Sequence, residues 1–316
     1  MTKSPTARRV NVSDYVIIGV LVAMIAAFSL ASGSFLSLAN ASILLNQLPA
    51  LILVTVGMTL VMLVGGIDLS VGSLVALSAG VLGIAVTSWG IPLPLAMALG
   101  LLVCAIAGLL SGALVSFGRL PSFIVTLGML EAARGLAYAV SGSQTIYIGQ
   151  SIEGLALPIS WLGVSPAFLI AVAIAAIAWL ILKKTIAGRH LIAIGTNEGA
   201  ARASGIETRP YRLAVFAVSG TLAGLAGIFN AAYLAAADPN AGSGLELSAI
   251  AAAVIGGTSL NGGRGSIPGG LMGVLLIAIL QGGLAQVGVS EPYKRVITGL
   301  VIILAVLLDS WRSRRI

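Results

Sequence analysis

The sequence predicts an all-α polytopic membrane protein of about ten transmembrane helices, some of them broken or re-entrant. Three observations carry this. Hydrophobic residues make up 58% of the 316 and charged residues only 9%, with a mean hydropathy of +1.09, where a soluble domain carries roughly a quarter charged residues. Apolar runs approaching the ~20 residues needed to cross a bilayer recur along the whole chain. The basic residues fall almost entirely on one side when those runs are threaded through a membrane.

The runs can be taken in order. The first, 14–31, follows a basic tail (Lys3, Arg8, Arg9) and precedes ASGS, a pattern shared with secretory signals. The spans that follow it favour an uncleaved first helix. Runs 41–64 and 71–88 flank GGIDLSVGSL, residues 65–74. There Gly65 and Gly66 break one helix, and Asp68 or Ser70 can cap the next, the carboxylate being favoured by the helix dipole. The other reading of Asp68 is a gate or substrate contact. Next come 92–117 and 121–139, the latter holding Glu131 and Arg134 three residues apart on one helix face. They read either as a neutralising pair buried in the bundle or as a polar point on a permeation path. Runs 164–182 and 212–236 are followed by 247–257, too short to span. It must belong to a broken or re-entrant helix, which is allowed only where irregular backbone is buried in protein or lines a wet cavity. Runs 267–287 and 295–310 complete the set.

Threading these ten runs from a cytoplasmic N-terminus puts 14 of the 17 basic residues inside, with Lys294 and Arg295 outside and Arg134 embedded. An error of one span would flip every later loop, so the asymmetry supports ten spans with both termini cytoplasmic. The net charge of +7 is a topology signal. No basic face with interleaved aromatics suggests nucleic acid.

Glycines number 40, many spaced four apart, as in Gly108/Gly112, Gly220/Gly224 and Gly269/Gly273. Such faces let helix backbones approach closely in lipid; a glycine-lined pathway is the alternative. Residues 65–72 can also be laid over 256–263 with the shared pattern G-G-x-[D/S]-L-[S/N]-x-G. A transporter repeat would place Gly256, Gly257 and Asn261 at a second helix break facing the first.

Catalytic chemistry is poorly served. No G-x-x-x-x-G-K-[ST] loop occurs, which excludes ATP hydrolysis by the P-loop route. One histidine, His190, cannot assemble a zinc site, and no histidine base accompanies the serines of the apolar core. The single Cys104 cannot form an intrachain disulfide and reads as a small core residue. Among the ten acidic residues only Glu131 lies clearly inside a span, whereas ion-coupled carriers commonly embed several. A chain so poor in embedded charge draws its energy from a partner. The polar stretch 183–212 supplies a docking element: in GTNEGAARASGIETRPYR, residues 195–212, Thr196 or Asn197 caps a short helix from Glu198 to about Ser204, stopped by Gly205.

These residues resemble the membrane permease subunits of bacterial ABC importers for ribose and related monosaccharides. Glu198-Gly199-Ala200-Ala201-Arg202-Ala203-Ser204-Gly205 is similar to the permease signature Glu-Ala-Ala-x-x-x-Gly, with Gly199 interrupting it. The stretches GGIDLSVGS, 65–73, and AAAVIGGTSLNGGRGSIPGG, 251–270, resemble the sugar branch. The amino-acid branch usually carries an asparagine-containing variant where this chain has Asp68. The resemblance implies a single permease domain of the type II importer kind over 1–316, with a coupling loop at about 183–212. Glu198, Ala200, Ala201, Arg202 and Gly205 would couple it to a cytoplasmic ATPase. Within such a domain Gly65, Gly66, Asp68, Ser70, Glu131, Gly256, Gly257 and Asn261 are, from the residue reading above, the candidates for helix breaks, gate or sugar path. It further implies a second permease, identical or paralogous, a periplasmic sugar-binding protein, and a location in the bacterial inner membrane. ATP and Mg would sit on the partner, whose two nucleotide sites are often fused in one polypeptide, and this chain would bind no cofactor. A carrier acting alone, driven by an ion bound at Glu131 or Asp68, is the second class of function. A membrane scaffold or intramembrane enzyme is the third.

Overall fold

The computed structural model describes residues 12–313. The terminal charges used in the topology reading, Lys3, Arg8, Arg9, Arg314 and Arg315, lie outside the described residues. The chain is built of helices α1 (Val12–Ala31), α2 (Leu38–Gln47), α3 (Pro49–Leu63), α4 (Val71–Thr87), α5 (Leu93–Ser116), α6 (Ser122–Ser141), α7 (Gln150–Glu153), α8 (Pro166–Lys184), α9 (Ile186–Thr196), α10 (Glu198–Ala203), α11 (Thr208–Leu234), α12 (Leu245–Ile255), α13 (Ile267–Gln286) and α14 (Glu291–Ser313). Among the described residues five helices, α5, α6, α8, α11 and α13, are long and apolar enough to cross a membrane. The run expected as one span over 41–64 is a bent pair, α2 and α3, meeting at 45°. Pro49 at the first helical position of α3 explains the bend, because it has no N–H to continue the helix before it.

One departure from an all-helical chain is a pair of two-residue strands. β1 (Ile146–Tyr147) and β2 (Ala236–Ala237) pair antiparallel, Ile146 opposite Ala237. They tie the polar stretch after α6 to the segment after α11.

The core is organised around α11, the most buried of the five long apolar helices, which packs against α3, α4 and α5. Its glycines explain the closeness. A Cβ on Gly220 would lie 2.9 Å from Gly108 Cα, and one on Gly224 would lie 2.9 Å from Cys104 Cβ. Gly273 likewise faces the backbone of Ala252. The four-residue glycine spacings are therefore packing faces between helices, as dispersion-driven association requires, and Cys104 is a buried core residue whose thiol donates to Leu74 O at 3.3 Å.

Two irregular segments penetrate the bundle. Residues 64–70 run beside α6: Ile67 N donates to Ser122 Oγ and Leu69 N to Thr126 Oγ1, both at 3.1 Å. Four residues of helix rise about 6 Å, so the chain climbs into the protein before α4 begins. Residues 238–244 descend in the other half. Arg134 donates through Nη1 to Pro239 O at 2.6 Å and Ala241 O at 2.9 Å, and Gly242 packs against Gly72 in the first turn of α4. The eleven-residue α12 follows it. The short eighth run is thus a helix preceded by irregular backbone, two of whose carbonyls accept from Arg134. This overturns the buried Glu131–Arg134 pair: Arg134 serves backbone carbonyls more than 100 residues away, and Glu131 is exposed on the single chain with no ion pair among the described residues.

Candidate functional site: the coupling helix and the helix breaks

The polar stretch 183–212 folds into two capped helices. The first, α9, is not anticipated from the sequence, although Thr185 signals it: its Oγ1 accepts from Gly188 N at 3.3 Å. Leu191 and Ile194 face the core. Asn197 then caps α10, its Oδ1 accepting from Ala200 N at 3.0 Å. Gly205, at φ +84°, ends α10 in the left-handed region, with Gly205 N donating to Arg202 O and Ile206 N to Ala201 O. The capped short helix read from the sequence is present, with its stop.

Glu198 does not project from this helix. Its Oε1 accepts from Arg202 Nη2 at 2.6 Å and Thr208 Oγ1 at 2.8 Å, and its Oε2 from Arg212 Nη2 at 2.7 Å. Arg202 Nε also donates to Thr208 Oγ1 at 3.0 Å. Thr208 and Arg212 open α11, so the carboxylate clamps α10 to the central helix. Partial burial alone would raise the pKa of Glu198, but the Thr208 hydrogen bond and the Arg212 and Arg202 charges outweigh it and hold it below the ordinary glutamate value. Ala201 is buried, whereas Gly199, Ala200, Arg202, Ala203 and Gly205 are exposed. The outward face of α10 is therefore small and flat beside one cation.

The helix breaks gather at the same end of the molecule. Gly65 (φ +76°) turns the chain out of α3, and Gly263 N donates to Leu63 O at 3.0 Å. A Cβ on Gly262 would lie 3.0 Å from Gly65 Cα, and Gly195 near the end of α9 sits against Leu63 O and Gly263 N. Gly256 packs on the backbone of Gly269, Gly257 has φ +87°, and Asn261 is exposed. The two glycine-rich stretches that echo each other in sequence thus touch in space. A cavity of about 490 Å³ opens between Gly65 and Gly66, the α5–α6 turn at Arg119 and Ser122, and the Glu198–Arg212 clamp.

Asp68 and Ser70 form a separate, buried cluster. Asp68 Oδ1 accepts from Ser70 N at 3.1 Å and Ser70 Oγ at 2.6 Å, and Oδ2 accepts from Ser219 Oγ of α11 at 2.8 Å. The expected cap is corrected here: Ser70 occupies the N-cap position of α4 in a helical conformation, without a side-chain cap bond. The carboxylate instead joins the α3–α4 break to α11, whose approach Gly57 permits, since a Cβ there would stand 3.1 Å from Ser219 Cα. Ser219, Thr208 and Arg212 are site residues that sequence reasoning missed. Each lies far from its partner along the chain or outside the signature, and only the docking of α11 brings it in.

A family described as the permease component of the branched-chain amino acid transport system matches residues 40–306. The chain belongs to this permease family. The permease is 39% identical over 301 residues to the ribose import permease RbsC of Escherichia coli (strain K12), covering 92% of this chain and 91% of the relative. It is 42% identical over 295 residues to RbsC of Bacillus subtilis (strain 168), covering 90% and 89%. With the xylose transport system permease XylH of Escherichia coli (strain K12) it shares 32% over 370 aligned positions, covering 98% and 94%. No solved structure matches it. The permease is thus a multi-pass membrane protein whose clamp and helix breaks lie at one end of the bundle.

Proposed function

We propose that this permease is the transmembrane subunit of an ATP-driven importer of a monosaccharide. The observation that carries the reading is the capped, outward-facing α10, fixed to the central helix by Glu198, in a chain related over nine-tenths of its length to ribose import permeases. A short helix with a flat exposed face suits a groove on an ATPase. Because packed interfaces hold discrete arrangements, movement imposed on α10 passes to α11 as a rigid-body step. Ala200, Arg202 and Gly205 are the ATPase-facing residues, and Ala201 supports them from inside. Glu198 acts by positioning, since both its oxygens are engaged within the chain.

In this reading the chain makes ten passages of the bacterial inner membrane, counting the bent α2–α3 pair and the broken α12 passage. Both termini are cytoplasmic and the architecture is of the type II importer kind. A second permease completes the path, a periplasmic binding protein delivers the sugar, and the ATPase holds ATP and Mg. Gly65, Gly66, Gly256, Gly257 and Asn261 form the cytoplasmic end of the path, with Asp68 and Ser70 fixing the first break to α11.

The test is uptake in proteoliposomes carrying the permease, its ATPase and the sugar-binding protein. D-ribose or D-xylose should accumulate only with internal ATP. Uptake by the permease alone under a proton or sodium gradient would instead establish an ion-coupled carrier and refute the importer reading.

A further inference from the structure

The helix α6 carries a carboxylate where lipid accepts none cheaply. Its 20 residues span about 30 Å at 1.5 Å each, and Glu131 is the tenth of them, at mid-depth. Other carboxylates beside the spans have partners: Asp68 accepts three donors, and Glu246 accepts from Gly244 N at 3.2 Å while lying against Gly72. Among the described residues Glu131 has no hydrogen bond or ion pair and is exposed on the single chain. Its surroundings are open as well. Gly128 and Gly135, about one turn to either side, have nothing within 4 Å of where a Cβ would stand, and α6 is the least apolar of the five long apolar helices.

The open face continues beyond α6. Tyr138 Oη donates to Asn240 Oδ1 at 2.6 Å, which joins it to the irregular segment 238–244, where Asn240, Ser243 and Gly244 are exposed. One side of that segment is served by Arg134 and Gly72; the other is not covered by this chain. Irregular backbone at membrane depth persists only in protein or beside water, and a charged side chain at mid-span is expensive in lipid. Both demands fall on the same continuous surface, so the surface faces protein or water rather than lipid.

We infer that this face is one wall of the sugar pathway, closed on its open side by the second permease, and that Glu131 accepts hydroxyl hydrogens from the passing monosaccharide. The inference rests on the importer reading. A carboxylate is an acceptor with two oxygens and suits a neutral polyol, whose hydroxyls are its donors. A single such contact holds the sugar without trapping it.

Cysteine substitution and transport separate the outcomes. In membranes containing the complete importer, Glu131→Cys and Ser243→Cys are treated with a charged, membrane-impermeant methanethiosulfonate. Ile177→Cys on the exposed apolar face of α8 is the lipid-side control, and the unaltered chain with its buried Cys104 is the background. Both test positions should react at least tenfold faster than the control, and D-ribose or D-xylose with the binding protein should slow the reaction at Glu131→Cys. Glu131→Leu should lose roughly tenfold or more in uptake while still co-purifying with the ATPase, and Glu131→Gln should lose less, because an amide retains one acceptor. If the unaltered importer carries sugar but Glu131→Cys reacts no faster than the control, or Glu131→Leu transports normally, the inference is overturned and the importer reading stands. If the permease alone carries sugar under a proton or sodium gradient without the ATPase, the importer reading falls and the sugar role of Glu131 falls with it.

Discussion

Replacing Asp68 tests how the first helix break is held. Its two oxygens receive three donors, Ser70 N–H, Ser70 Oγ–H and Ser219 Oγ–H, all in a site where Asp68, Ser70 and Ser219 are each about 1% exposed. Asp68→Ala strands all three, and a stranded buried donor costs about 1–3 kcal/mol. The two hydroxyls can rotate towards backbone carbonyls, so the expected loss is about 3–5 kcal/mol, a large fraction of the ~5–15 kcal/mol that holds a typical fold together. Asp68→Asn behaves differently. One amide oxygen can keep the two Ser70 donors, and the amide nitrogen can donate to Ser219, whose hydroxyl accepts as readily as it donates. Its cost should be about 1 kcal/mol, with uptake retained. Thermal or denaturant unfolding of the purified permease in detergent, together with ATP-driven uptake, measures both. Equal damage from the two substitutions would show that the charge itself is required and would refute the hydrogen-bond account. An undamaged Asp68→Ala would show that the bridge to Ser219 contributes nothing.

Four further outcomes follow from the same geometry. Glu198→Gln should change stability by about 1 kcal/mol or less, because Arg202 is half exposed and screened, yet reduce sugar moved per ATP hydrolysed, since α10 loses its clamp to α11. The pKa of Glu198 is depressed, so the clamp contributes above the ordinary glutamate value of 4.5 and is lost as pH falls through the lower folded value; transport per ATP measured between about pH 6 and 8 should show no step from this group. Gly205→Val should cost about 1–2 kcal/mol through its left-handed backbone and weaken co-purification with the ATPase, whereas Gly205→Asn should be milder, because the space around Gly205 is open. Gly220→Leu should abolish stable folding, seen as loss of a monodisperse detergent-solubilised peak, because the side chain would enter the Cys104 and Gly108 backbone.

The α10 cap and stop were legible because a helix end is local chemistry: Asn197, Ala200 and Gly205 lie within nine residues, and their hydrogen bonds need no distant partner. The glycine spacings were legible as packing faces for a similar reason, since the pattern lies on one helix even when its mate is unknown. Partners of charged groups were not. Arg134 sits three residues from Glu131, and helical spacing alone pairs them; its actual acceptors, Pro239 and Ala241, follow only from the descent of 238–244 beside α6. The bend at Pro49 had a local signal, but α3 and α2 share one apolar run, and hydropathy does not register direction.

The sequence by itself determined that the chain enters a membrane, that glycines interrupt it at 65–66, that a short capped helix follows Asn197 and which helices can touch closely, because these depend on composition and on contacts within about one helical turn. Only the tertiary structure decided what the buried and embedded charges do. It took Asp68 from a helix cap to a bridge onto Ser219, Glu198 from a projecting contact to a clamp on α11, and Arg134 from an ion pair to a backbone donor, and it left Glu131 on an open face. The physical reason is that away from water a charge takes its partners from whichever groups the packing of the helices brings within hydrogen-bonding reach, and that packing is a property of the whole fold.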